Sequence, residues 1–80
     1  MKQYAIVEAT FAPKRTDDLQ NDAAACIGQR YLWLASGIVE SGEYAGEWRM
    51  DFYGQPLGTY DDRRFVWVPL SDLADVVEVE

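Results

Sequence analysis

Two adjacent acid pairs are the first residues in this chain with a type and spacing suited to chemistry: Asp17-Asp18 and Asp61-Asp62. Paired carboxylates do acid–base work when one holds its proton and the other does not, which takes a cleft that separates their pKa values. Neighbours on a strand point to opposite faces, and adjacent acids at a helix start or in a turn ordinarily serve as cap and turn residues. The chain has no histidine and one cysteine, Cys26. Structural zinc, a disulfide framework and serine–histidine or cysteine–histidine catalysis are thereby excluded. No D-x-D-x-D-G calcium loop is present, and Asp61-Asp62-Arg63-Arg64 mixes signs as a salt-bridged turn would. Neither an enzyme, nor a dedicated metal site, nor a cofactor is expected.

What remains is charge. The 80 residues hold 7 basic and 14 acidic side chains, a net of −7. Residues 1–15 carry Lys2, Lys14 and Arg15 against Glu8, a net of +2, so the acidity lies in residues 16–80 at −9. Glu40, Glu43, Glu47 and Asp51 gather around one expected hairpin, and Asp61 and Asp62 follow in the next turn region. Tyr44 and Tyr60 stand among these acids, and tyrosine in an acidic rim is a contact residue of protein interfaces, although a loop tyrosine often lies flat on its own domain. A net charge of this size is also ordinary for solubility, so the functional and the solvation readings weigh about equally. The partner-binding candidates are Glu40, Glu43, Tyr44, Glu47, Asp51, Tyr60, Asp61 and Asp62. A basic stripe for direct nucleic-acid binding is missing. So is any apolar run of membrane-spanning length, and anionic membrane surfaces would repel the domain. Without a secretory leader the expected compartment is the cytoplasm, with Cys26 reduced.

The elements that would position these residues read as follows. Eighty residues make one small domain, 1–80, and the apolar content of 49% excludes a disordered acidic chain. Residues 3–11 form a first strand that Pro13 stops, with both faces partly apolar. Residues 16–27 form a helix: Thr16 caps it, Asp17 and Asp18 suit its positive end, and Leu19, Ala23, Cys26 and Ile27 make a narrow apolar stripe. Gly28 stops it; the alternative continues to Ser36 with Gly37 as the stop. Cys26 on this stripe reads as a small core residue.

Residues 30–40 form a second strand and residues 47–53 a third, where Trp48, Met50 and Phe52 alternate with Glu47, Arg49 and Asp51. A hairpin loop, SGEYAG, joins them. Val39 opposite Trp48 would set Gly37 against Met50, Ala35 against Phe52 and Glu40 nearly against Glu47. Like charges so placed are destabilising, and a fold that tolerates them presents them for use. Residues 63–68 form a fourth strand ended by Pro69. Ser71 caps one turn through Asp72, Leu73 and Ala74, and residues 75–79 form a charged edge strand. The expected class is α+β, about five mostly antiparallel strands in a curled sheet with one helix over the apolar face; a small, partly open barrel is the alternative.

In chain length, acid-rich body, one-domain plan and lack of catalytic motifs, the sequence resembles the small acidic anti-CRISPR proteins of phages and mobile elements, among them inhibitors of type I-C systems. These inhibitors share no diagnostic motif, so no family residue carries over. The resemblance implies a stoichiometric inhibitor, a monomer or weak dimer in a host bacterium, that binds a basic groove on the Cas surveillance complex, often its backbone subunit, and blocks target DNA. The basic N-terminal segment departs from a uniform DNA mimic. The second function class is a small regulatory or structural interaction module whose acidity only solubilises it.

Overall fold

Ile6, Val7 and Thr10 are β-branched and Phe11 is aromatic, a composition that suits a pleated, half-buried surface. They form β1, Ile6–Phe11, with every second side chain buried. The computed structural model describes residues 1–15, 26–54 and 67–79. The further strands are β2 (Arg30–Ile38), β3 (Trp48–Gly54), β4 (Trp67–Pro69) and β5 (Leu73–Glu78), with a 3-10 turn, Leu70–Asp72, between the last two. All four strand pairings are antiparallel, in the order β4-β3-β2-β1-β5.

That order places β4 and β5 at opposite edges, yet only three residues join them. Five flat strands span about 19 Å from edge to edge. The chain from Pro69 to Leu73 reaches about 14 Å at most. The sheet must therefore curl until its edges approach at the turn, which makes a partly open barrel. The inner face buries Val7, Ala9, Phe11, Tyr31, Trp33, Ala35, Met50, Val68 and Leu73. Trp33 fills the centre with no exposure; its ring meets Tyr31 and Phe52 edge-on, and its Nε1–H donates to Ala9 O at 3.2 Å.

The α+β expectation is corrected. Among the described residues there is no α-helix, only strands and the 3-10 turn. Residues 16–25 of the expected helix lie outside the described residues. Its last two, Cys26 and Ile27, belong to a turn: the Gln29 N–H donates to Cys26 O at 3.0 Å, and Gly28, at φ +84°, donates to Phe11 O at 2.8 Å. The stripe does not continue as one face, because Cys26 is 1% exposed and Ile27 41%. The physical reason is the curl, which packs the large rings of the inner face against one another.

Other expectations shift by small amounts. β1 begins at Ile6 because Tyr4 sits at φ +69°. The β2–β3 register differs from the expected one: Ile38 lies across from Trp48, Ala35 from Met50 and Trp33 from Phe52, with an irregularity between Ala35 and Gly37. The pairing is already one residue off at the loop, where Val39 meets Glu47, and an extra residue in β2 at that irregularity shifts it by one more, as bulges do. Residues 63–66 of the expected fourth strand lie outside the described residues. The single turn starts two residues earlier than expected, and Pro69, not Ser71, holds its N-cap position.

Candidate protein-interaction site

The β2–β3 loop turns on two glycines with left-handed backbone, Gly42 at φ +90° and Gly46 at φ +91°. Val39 donates to Glu47 O at 2.8 Å and accepts from the Gly46 N–H at 2.9 Å. Glu47 thus lies across from Val39 and not from Glu40. The repulsion expected between Glu40 and Glu47 is absent, and with it the argument that the fold tolerates a like-charge pair.

Three segments meet at this end of the barrel: the loop, residues 12–15 after β1, and the 3-10 turn. Each contact between them is specific. Ala12 N–H donates to Asp72 O at 2.8 Å, and the Lys14 N–H reaches Asp72 Oδ1 at 3.4 Å. Arg15 Nη1 donates to Glu43 Oε2 at 2.6 Å, an exposed ion pair. Glu47 Oε1 accepts the Ser71 N–H at 3.0 Å. Tyr44 is half-buried among these groups. Its phenol is pushed above its ordinary value, first by desolvation and then by Glu43, Asp72 and Glu47, against Arg15. Burial also raises the Asp72 carboxyl; Glu47 and Glu43 add to that, while the Lys14 backbone N–H and ammonium oppose it.

The structure therefore brings together Glu43, Tyr44 and Glu47, and leaves Glu40 and Asp51 outside that group. Glu40 is exposed beyond the end of β2. Asp51 lies on the outer face of β3, where Arg49 Nε donates to its Oδ1 at 3.0 Å and the Arg49 guanidinium stacks over Trp67 at 5.4 Å. Tyr60, Asp61 and Asp62 lie outside the described residues. Sequence reasoning missed Lys14, Arg15 and Asp72 as members of the cluster. No spacing signal links position 15 to 43 or 72 to 14; only the barrel closure does.

Chemically, the cluster offers three carboxylates and a phenol, tempered by two cations. It suits contact with a basic protein surface. Among the described residues no group of His, Cys, Asp or Glu is placed to hold a metal ion, and no helix is long and apolar enough to cross a membrane. Compared with protein-family models, curated proteins and solved structures, the chain shows no match to any of them.

Proposed function

We propose that this is a non-catalytic protein-binding domain that covers a basic, nucleic-acid-binding surface of its partner and keeps nucleic acid away from it. The observation that supports this reading is the grouping of Glu43, Glu47 and Asp72 around Tyr44 on one stiff end of a chain with net charge −7. Carboxylates held in place attract a groove lined by lysine and arginine, while an aromatic ring supplies the desolvated contact that slows release. The resemblance to acidic anti-CRISPR inhibitors makes a Cas surveillance complex, through its backbone subunit, the partner to test first. Arg15 and Arg49 each hold one of the named acids, so the attraction acts over a limited patch and not over the whole surface.

The experiment is competition. A purified type I-C surveillance complex is mixed with target DNA and increasing amounts of this protein, at low and at high salt. Stoichiometric loss of DNA binding at low salt, weakened at high salt and in Glu40→Lys/Glu43→Lys, is the expected result. Both substituted positions are exposed, so the fold is retained. Unchanged DNA binding at every protein concentration rejects this partner.

A second reading, an interaction module whose acidity only solubilises it, has its own observation. Tyr4, Ile38, Tyr53 and Val77 are each at least half exposed. Binding through such residues would be insensitive to salt.

A further inference from the structure

We infer that the outer edge of β5 binds an extended segment of a partner protein in which basic and apolar residues alternate, adding it to the sheet as a sixth strand. This surface is separate from the cluster around Tyr44 and does not depend on its role. Among the described residues β5 is the long edge strand of the sheet, paired on one side to β1. Asp75, at φ +53°, lies in an irregularity of that pairing, where its carbonyl accepts Arg30 Nη2 at 2.9 Å. The regular stretch beyond it runs from Val76 through Val79. The Val79 N–H donates inward to Ile6 O at 2.9 Å. In an extended strand the neighbouring Glu78 N–H then points outward, to the open side.

The two faces of this stretch differ. Val77 lies beside Glu8, and Val79 is bonded to Ile6, so both stand on the outer face of the sheet. That row continues through Ile6 to Leu34, its partner on β2, and both are only partly buried. Val77 is 55% exposed and Val79 46%. Glu78 lies beside Val7 on the opposite face, and at the end of the strand it lines a shallow depression with Met1, Lys2 and Val79. An incoming strand would therefore set alternate side chains against a valine row and against a carboxylate. Apolar residues fit the first and lysine or arginine the second. A second copy of this chain fits less well, since pairing two such edges would bring Asp75 and Glu78 of both copies into one short ladder.

The probe is the peptide acetyl-Lys-Val-Lys-Val-Lys-Val-amide, with its glutamate counterpart as control, titrated into the full chain and followed by amide NMR shifts. Saturable shifts centred on residues 76–79 with the lysine peptide, and none with the glutamate peptide, are expected. Glu78→Lys should weaken the lysine peptide by about tenfold. Glu78→Pro, which removes the outward N–H and keeps the inward ladder, should abolish binding while the Trp33 indole signal still reports a folded core. Equal affinity in both variants overturns the proposal. So do shifts centred on Tyr44 and Asp72, and so does a concentration-dependent dimer that Glu78→Pro dissolves.

Discussion

Glu47 Oε1 accepts the Ser71 backbone N–H at 3.0 Å, and this bond ties the β2–β3 loop to the turn that joins the two edges of the sheet. The first N–H groups of a helical turn have no partner within it. Pro69, at the N-cap position, supplies no side-chain hydrogen bond, so a carboxylate from the β2–β3 loop takes the cap's place. Glu47→Ala should lower the unfolding free energy by about 1–2 kcal/mol. Glu47→Gln keeps an oxygen acceptor and should recover part of the loss. Urea unfolding of the two variants checks this; equal losses would mean that the bond itself contributes nothing.

Arg30 joins three strands with one planar group. Its Nε donates to Glu8 Oε2 at 2.7 Å, its Nη1 to Thr10 Oγ1 at 2.9 Å and its Nη2 to Asp75 O at 2.9 Å. Lysine cannot reproduce such a fork. Arg30→Lys is expected to cost about 1–3 kcal/mol by the loss of charge-assisted bonds. Hydrogen exchange at Val77 and Val79 should accelerate more than at Trp33, since β5 depends on this tether. Uniform acceleration would place the loss in the whole fold instead.

Asp75 holds a left-handed backbone at φ +53°. Aspartate tolerates this region, and a β-branched residue does not. Asp75→Asn should be close to neutral, and Asp75→Val should cost about 1–2 kcal/mol. Thermal unfolding of the pair decides it, and a tolerated valine would show that the backbone relaxes at this position.

The Asp72 carboxyl is raised above its ordinary 3.8, by burial first and by Glu47 and Glu43 after it. The folded state then keeps a proton that the unfolded chain has already released. Stability from this group is greatest with the proton on, and falls as pH climbs from the ordinary carboxylate value through the raised one. Asp72→Asn removes that fall. The variant's advantage in urea midpoint should grow across this window and then level off. A difference that does not change with pH rejects the assignment.

Trp33→Ala removes a fully buried ring and should cost about 3–5 kcal/mol. A chain of this size has a total stability of only about 4–12 kcal/mol. Near-UV circular dichroism should show a large loss of fixed aromatic packing. Retained near-UV intensity would mean that Phe11, Tyr31 and Phe52 repack around the gap.

Strands were legible wherever period-two patterning met β-branched or aromatic residues. β2 and β3 lie within a residue or two of their expected ranges, because alternation needs only local sequence. Of the helix expected over 16–27, only Cys26 and Ile27 lie among the described residues, and they form a turn. Thr16, two acids and a narrow apolar stripe are all local signals, and at Cys26 the chain turns into β2 instead. The β2–β3 register was missed because neither the loop's pairing of Val39 with Glu47 nor the irregularity near Ser36 leaves a mark in composition. Of the acidic candidates, Glu43, Tyr44 and Glu47 do meet, while Asp51 is held by Arg49 and Glu40 stands apart.

Residue order alone determined the alternation of buried and exposed side chains, the acidic balance and the absence of histidine chemistry. Each of these depends on residue types and short spacings, which the chain carries wherever it folds. The curl of the sheet, the meeting of Arg15 with Glu43 and of Glu47 with Ser71, and the open edge at β5 were decided only by tertiary structure. They depend on how strands far apart in sequence pair and close, and no local spacing encodes that closure.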